Sequence, residues 1–510
     1  METGNKIIKN TILLTISSLI MRSIGMSFQV YLTDKIGSAG VGLYGLIMSV
    51  YMLFTTFAIS GIRFATTRLL SEELGVQPNG KVHKIVRTGL IYGLIFGTLA
   101  TVIMLITAKP IGTMWIKDSR SVLSLKIIST SLPFLSMSAV LSGYFTAVGR
   151  AYKSAAIQFI EQIIRIIVVI IFYSYANTSD IESSCAAIMF GGALGDLASF
   201  TLQFFLYILD RRRYSEQRSS KKLTERIIQI AFPLALSAYC RTALSTFQQL
   251  LVPAGFQKAG YTSEKALSDY GIVHGMVLPV LTFPSALFYS FSEVIVPELT
   301  YAQVTSDKKK INNIVNRTLN MSIIISFGLL VIFFSYSYQL GNAFYGINDV
   351  GKYIRILSFL MPIMYLDSIT DGLLRGLGQH LYNMWVNIGD SVISVIFVYT
   401  LLPKWAISAY IFIICFTEIL NFVLSMFKLS RLVNIKIKFR TFITAVFSSI
   451  AAVNIAMLLL RTIGTPLQAT ALNVVAHIAL SLVLYVILLI ALNCIDKADK
   501  ALIISTFTKK

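Results

Sequence analysis

The sequence predicts an all-α polytopic membrane protein. Fourteen transmembrane helices are expected, as two six-helix lobes related by a pseudo-two-fold axis along the membrane normal, plus a C-terminal helix pair. Three observations predict this. Of 510 residues, 55% are apolar and 13% charged, against about a quarter charged in an average soluble domain, and the mean hydropathy is +0.72. The apolar residues gather into long runs of membrane-spanning length. The first six runs share residues, in register, with the next six.

A hydrocarbon core of about 30 Å takes about 20 residues of helix. The first six such runs fall at about 9–33, 39–66, 85–107, 122–147, 154–176 and 184–209. The next six fall at about 227–252, 271–295, 318–340, 353–375, 382–402 and 406–428. The last pair falls at about 441–461 and 468–494. The runs are long and do not alternate with period two, which excludes a β-barrel. The first run is too long for a signal-peptide core and has no small-x-small cleavage site near its end, so it reads as an uncleaved first helix.

Charge placement tests the count. With the N-terminus cytoplasmic, 29 of the 44 Lys and Arg residues fall in inside segments and ten in outside loops, as the positive-inside rule requires. One missed span would invert every later loop. Both termini are therefore expected in the cytoplasm. The net charge of +20 then reports topology, and no nucleic-acid partner is implied. Five basic residues remain within or near spans: Arg22, Arg63, Arg165, Arg241 and Arg355.

The four cysteines (Cys185, Cys240, Cys415, Cys494) and four histidines (His83, His274, His380, His477) are dispersed. No zinc or disulfide spacing results, so no metal site is expected. No G-x-S-x-G, P-loop or H-E-x-x-H motif is present. The chain is not expected to be an enzyme or to hold a cofactor. A coupling ion (H+ or Na+) or the membrane potential is the expected energy source.

The repeat is read from four matches in chain order. Ser18, Arg22, Ser23, Ser27, Phe28 and Gln29 in the first helix correspond to Ser237, Arg241, Thr242, Thr246, Phe247 and Gln248 in the seventh, at offset 219. Tyr44-Gly45, Thr56-Phe57 and Glu72 correspond to Tyr270-Gly271, Thr282-Phe283 and Glu298 at offset 226. Gly143, Gly149 and Glu161 correspond to Gly372, Gly378 and Asp390 at offset 229. Asp196 and Phe200 correspond to Glu418 and Phe422 at offset 222. Six helices is an even number, so both copies enter the membrane in the same sense, a parallel repeat. The expected division is 1–210 for the N-lobe, 211–226 for a basic cytoplasmic linker, 227–430 for the C-lobe, and 431–510 for helices 13 and 14 with a cytoplasmic tail. Such lobes face each other across a cleft in alternating-access transporters.

Charges inside spans are costly and face a cavity or a partner. Arg22 and Arg241 occupy equivalent repeat positions, and Arg63 lies deep in the second helix. Together they are candidates for a cationic pocket, because arginine grips phosphate with paired hydrogen bonds. The bland alternative for each is an ion pair with a buried carboxylate or a reach to the headgroups. Glu161 and Arg165 stand at i, i+4, where a local ion pair is the default. Asp390 has Ser394 at that spacing instead, which leaves it freer to take a proton or cation. Asp367 and Asp371 share a helix face and are candidates for ion coupling, with Arg375 one turn further on. Pro233, Pro279 and Pro284 are expected to interrupt helices of the second lobe.

With these residues in view, the chain resembles the multidrug/oligosaccharidyl-lipid/polysaccharide (MOP) exporter superfamily, and within it the stage V sporulation protein B group. The resemblance is carried by Met21-Arg-Ser-Ile-Gly25, by Ile36-Gly-Ser-Ala-Gly-Val-Gly-Leu-Tyr44, by Thr55-Thr56, by Leu70-Ser-Glu72 and by Leu374-Arg-Gly-Leu-Gly378. It implies a secondary transporter that flips a polyprenyl-diphosphate-linked saccharide, such as a peptidoglycan or polysaccharide precursor, across the bacterial plasma membrane. In the related MurJ group it further implies a cationic cavity for the diphosphate and a groove for the polyprenyl tail at helices 13 and 14. Arg22 matches the first-helix R-x-x-G arginine of that group. The second arginine common there is replaced by Ser27-Phe28-Gln29, so Arg241 and Arg63 are left to supply the charge. Membrane lipids and proteins of cell-wall or glycan synthesis are the expected partners of a monomer. Two rival functions are a cation-coupled multidrug antiporter of the same superfamily and a membrane glycan polymerase or ligase.

Overall fold

The computed structural model describes residues 2–76, 82–175, 180–211, 223–437, 439–462 and 470–492, and every element among them is a helix. In the first part of the chain these are α1 (Glu2–Ile59), α2 (Ile62–Val76), α3 (Val82–Pro110), α4 (Ser121–Ser129), α5 (Leu132–Ala147), α6 (Ala151–Tyr175) and α7 (Ile181–Arg211). Then come α8 (Leu223–Lys258), α9 (Ser263–Tyr270), α10 (Leu278–Thr282), α11 (Ser285–Val304), α12 (Lys308–Ser335), α13 (Ser337–Tyr345) and α14 (Asn348–Leu357). The last four are α15 (Met361–Gly376), α16 (His380–Leu432), α17 (Phe439–Thr462) and α18 (Ala471–Ala491). Most of the linker expected at 211–226 and most of the C-terminal tail lie outside the described residues.

Helix ends carry the expected local chemistry. The Thr262, Asp307 and Thr470 side chains accept from the backbone N–H groups of Lys265, Lys310 and Asn473 and so cap α9, α12 and α18. Interruptions inside the apolar runs are less legible. At 1.5 Å per residue, α1 would be about 87 Å long, far beyond a bilayer. It is broken at Gly37 (φ 67°, ψ 178°). The 53-residue α16 is broken in the same way at Ala406 (φ 46°, ψ −124°).

Among the described residues, ten helices are long and apolar enough to cross a membrane, or up to twelve if two bent pairs each form one crossing. The bent pairs are Ser121–Ser129 with Leu132–Ala147, at 45°, and Ser263–Thr282 with Ser285–Val304, at 54°. The chain is a multi-pass membrane protein. Pro284 stands in the second bend and Pro279 in the short α10, whereas Pro233 lies inside an unbroken α8.

The chain forms two compact units. The N-unit comprises Tyr31–Gly271 and Ser391–Ile407; the C-unit comprises Met1–Val30, Ile272–Asp390 and Ser408–Lys510. These units differ from the repeat halves in a reciprocal way. The start of α1, first helix of the first repeat, belongs with the second repeat's helices. Its counterpart α8 belongs with the first repeat's helices. In the N-unit, α2, α3, α5, α7 and α8 meet around a core that includes Ile62, Leu69, Tyr144, Phe145, Tyr207 and Ile227. In the C-unit, α12 packs against α15 and α17, and α17 against α18.

The C-terminal pair is seated tightly on α12. A Cβ on Gly328 would come within 2.4 Å of the Tyr485 ring. The Tyr485 hydroxyl donates to the Ile324 carbonyl at 2.8 Å. The segment leading into the pair is held by an asparagine ladder. Asn316 and Asn320 donate to the carbonyls of Asn434 and Lys436, at 2.8 and 3.1 Å, and Asn312 accepts from the Asn434 N–H at 3.1 Å. These asparagines recur every four residues, on one face of α12. Overpacking such a contact costs about 1–3 kcal/mol. Gly328→Leu is therefore expected to lower thermal stability in detergent by a few degrees. An unchanged melting temperature would refute the tight seating of α18.

Candidate functional site

Two polar stripes stand out, a buried one in the N-unit and a partly buried one in the C-unit. In the N-unit, Asp196, Ser199, Gln203, Tyr207 and Asp210 recur at helical spacing along one face of α7 and are all buried. The Asp196 carboxylate accepts from the Tyr51 hydroxyl at 2.8 Å and lies 3.7 Å from Arg165. Arg165 also pairs with Glu161 at 3.4 Å. The local pair expected at i, i+4 is thus present, and Asp196 completes it as a triad. Further along, Ser142 donates to Gln203 at 3.0 Å and shares a hydrogen bond with Ser154 at 2.7 Å. Asp210 ends the stripe, paired with Arg150 and, at 3.6 Å, with Lys153.

In the C-unit the stripe joins α15 and α16. Asn421 donates to Asp367 at 3.2 Å, and Ser425 to Asp371 at 3.4 Å. Asn383 donates to the Asp371 carbonyl at 3.1 Å. The repeat offsets relate these bonds to the first stripe. Asp371 and Ser425 correspond to Ser142 and Gln203, and Asp390 and Glu418 to Glu161 and Asp196. The chemistry differs between the two. Where the N-unit has serines at 138 and 142, the C-unit has Asp367 and Asp371. Where the N-unit has Arg165, the corresponding position is Ser394.

Asp371, Glu418 and Asp390 are the charged neighbours that act on Asp367. Among the described residues, no cation pairs with Asp367, Asp390 or Glu418. Four buried acceptor oxygens of this stripe have no donor among the described residues: Oδ1 of Asp367, Asn383, Asp390 and Asn421. Buried acceptors are normally satisfied, so the stripe is short of positive charge or protons. Asp367 and Asp390 were singled out from sequence. Asn383, Asn421 and Glu418 complete the arrangement; Glu418 is legible as a carboxylate within a span and as the repeat counterpart of Asp196, whereas the two asparagines carry no such signal.

The arginines are equivalent in sequence and different in surroundings. Arg22, in the C-unit, donates from Nη1 to the Thr282 carbonyl and to Ser285 Oγ, both at 3.0 Å. Its Cζ stands 5.8 Å from the centre of the Tyr289 ring. Arg241 and Arg63, in the N-unit, are exposed, and among the described residues neither side chain has an acceptor. At offset 226, Arg63 corresponds to Tyr289. The Arg22–Tyr289 contact of the C-unit thus corresponds to Arg241 and Arg63 of the N-unit. Two like charges at corresponding positions, each without an acceptor, suit an anion.

Neighbouring residues explain why Arg241 is free. Helix α1 gives way to α2 at Ser60 (φ 43°) and Gly61 (φ 70°). A Cβ at Gly61 would also sit 2.6 Å from the Ala231 carbonyl, which leaves glycine alone at ease there. This break is satisfied by neutral hydroxyls: Tyr239 donates to Ser60 Oγ at 2.7 Å, and Tyr92 shares a bond with it at 3.0 Å. The work that Arg22 performs at the corresponding break is done here by tyrosines.

Comparison with known proteins fits this picture. A model of polysaccharide biosynthesis proteins matches residues 7–303, and a MatE model matches residues 259–400. Stage V sporulation protein B of Bacillus subtilis (strain 168) is 22% identical over 500 residues, 96% of each chain. Lipid II flippase MurJ of the same organism is 21% identical over 395 residues, covering 72% of this chain and 71% of that protein. A solved structure of lipid II flippase MurJ in an inward closed conformation matches with TM-score 0.69 at 15% identity, over 94% of this chain and 99% of that one. An inward-facing MATE family multidrug resistance transporter matches with TM-score 0.62 at 13% identity, over 81% of this chain and 95% of that one. These structural likenesses establish a shared fold.

Proposed function

The chain belongs to the polysaccharide biosynthesis protein family of the MOP exporter superfamily, and on that premise we propose that it flips a polyprenyl-diphosphate-linked saccharide across the bacterial plasma membrane. The observation that carries this reading is the pair Arg241 and Arg63, held in membrane helices without protein acceptors among the described residues. Their guanidinium groups would grip the diphosphate, the one chemical group common to all such substrates whatever the sugar. Charge-assisted bonds to phosphate are about twice as strong as neutral ones. The likeness to stage V sporulation protein B and MurJ supports the substrate class. Alternating access is the proposed mechanism, with fourteen crossings, both termini inside, and Gly37 and Ala406 as turns within α1 and α16. Its reading as two six-helix repeats plus a helix pair rests on the sequence offsets.

Energy would come from an ion at the C-unit stripe. Asp390 and Glu418 lack the arginine that serves their counterparts Glu161 and Asp196. A bound proton or Na+ would take its place, with Asp367 beside it. Asp390→Asn removes the charge that needs this ion. Translocation by that variant in vesicles is expected to lose its dependence on the ion gradient, and a preserved dependence would refute the assignment.

The MatE match at residues 259–400 favours a second reading, a cation-coupled drug antiporter. Binding separates the two. Purified protein in lipid nanodiscs should bind undecaprenyl diphosphate, and bind undecaprenol and a cationic dye far more weakly. The reverse order would establish the antiporter.

A further inference from the structure

Of the five basic residues within or near spans, Arg355 alone belongs to neither a polar stripe nor the arginine sites above. It lies on α14, in the C-unit. Lys352, Arg355, Ile356 and Phe359 are all exposed. Their spacing of i, i+3, i+4 and i+7 places them on one stripe, which the tight turn Ser358–Leu360 continues beyond α14. Over about 10 Å the stripe passes from cationic to apolar. A helix meets those surroundings in that order on leaving the headgroup layer for the hydrocarbon. The guanidinium is held against aromatic rings. Arg355 Cζ stands 4.6 Å from the centre of the Phe334 ring and 5.6 Å from that of Tyr338. Phe359 packs on the same Phe334 ring, with centroids 5.2 Å apart. Helices α13 and α14 meet here through glycines. A Cβ on Gly341 would come within 2.3 Å of the Gly351 nitrogen, and one on Gly351 within 2.7 Å of Tyr338 Cα. That close approach fixes Tyr338 beside Arg355, which stands one turn past Gly351.

Among the described residues, nothing accepts a hydrogen bond from the Arg355 side chain. Asp349 is on the same helix, but six residues away and therefore on another face. Ring contact consumes none of the five guanidinium N–H donors, which keep the fork that matches a phosphate oxygen pair. We propose that Arg355 and its aromatic platform bind the phosphodiester of an anionic membrane phospholipid, with Lys352 on the same headgroup and an acyl chain along Ile356 and Phe359. Charge complementarity selects this occupant, since two cations and no paired acid line the stripe. A free phosphate leaves Ile356 and Phe359 uncovered, and an uncharged lipid leaves the arginine donors unanswered. The site lies wholly within the C-unit and is independent of the flippase reading. With both termini inside, this end of α14 meets the outer leaflet.

The experiment is photolabelling of the full chain in detergent micelles. The probe is phosphatidylglycerol with a diazirine on one acyl chain, and mass spectrometry locates the adducts. Unmodified protein should carry label within residues 352–359. Arg355→Gln should reduce that label about tenfold, the effect of losing about one hydrogen bond to a charged group. Its melting temperature should hold, because an exposed charge contributes little to stability. Phe334→Leu keeps the charge and removes the ring, and should reduce the label several-fold. Unlabelled phosphatidylglycerol should compete, and an excess of inorganic phosphate should not. Equal label in Arg355→Gln and unmodified protein, equal labelling by an uncharged diacylglycerol probe, or full competition by inorganic phosphate would each overturn the lipid site.

Discussion

The double variant Arg241→Ala, Arg63→Ala is expected to weaken binding of undecaprenyl diphosphate by two to four orders of magnitude. Each arginine is exposed and has no acceptor among the described residues, so neither holds the fold together. A hydrogen bond to a charged group contributes about 1.5–3 kcal/mol. Removing two such bonds at once costs about 3–6 kcal/mol, and each 1.4 kcal/mol is about tenfold in affinity. The melting temperature should stay within a degree or two, because exposed charges contribute little to stability. Titration of the ligand into nanodisc-embedded protein measures the first quantity and a thermal scan the second. A collapse of stability with affinity unchanged would mean that these arginines are structural.

Arg165→Ala should behave in the opposite way. Arg165 lies between Glu161 at 3.4 Å and Asp196 at 3.7 Å. Removing one partner of a buried ion network leaves uncompensated charge and costs about 3–5 kcal/mol. A loss of about ten degrees in melting temperature is expected, at roughly 2–4 °C per kcal/mol. Adding Glu161→Gln and Asp196→Asn should recover most of it, since amides keep the hydrogen-bonding shape and discard the charge. The corresponding C-unit change, Asp390→Asn, should cost nothing or stabilise. A destabilisation by Asp390→Asn equal to that of Arg165→Ala would mean that the two stripes are chemically alike, which would undermine the ion assignment.

The contrast between these two variants shows how far sequence reasoning reached. Long apolar runs made the membrane class and the all-helical fold legible, because burial of about twenty residues is a demand that composition alone must meet. The Glu161–Arg165 pair was legible from spacing along one helix. Asp196 was not, because its helix reaches Arg165 only through tertiary packing. The role of Arg22 was hidden for another reason: its acceptor is a backbone carbonyl, freed by a bend, and a carbonyl leaves no mark in the sequence. The two compact units were hidden as well. Self-similarity says which helices are related; it does not say which ones touch. The exchange of α8 for the start of α1 between units is a matter of contact. Even so, the repeat offsets located the informative differences, Arg165 against Ser394 and Arg63 against Tyr289.

The most direct test of the central claim is translocation itself. Purified protein is reconstituted into sealed vesicles that carry an undecaprenyl-diphosphate-linked saccharide, and a membrane-impermeant enzyme reports the fraction of substrate reachable from outside. The account predicts that wild-type protein brings nearly all of the substrate within reach over time, and that vesicles with Arg241→Ala, Arg63→Ala stay near the protein-free level. Equal accessibility with wild-type protein, the double variant and no protein at all would contradict it.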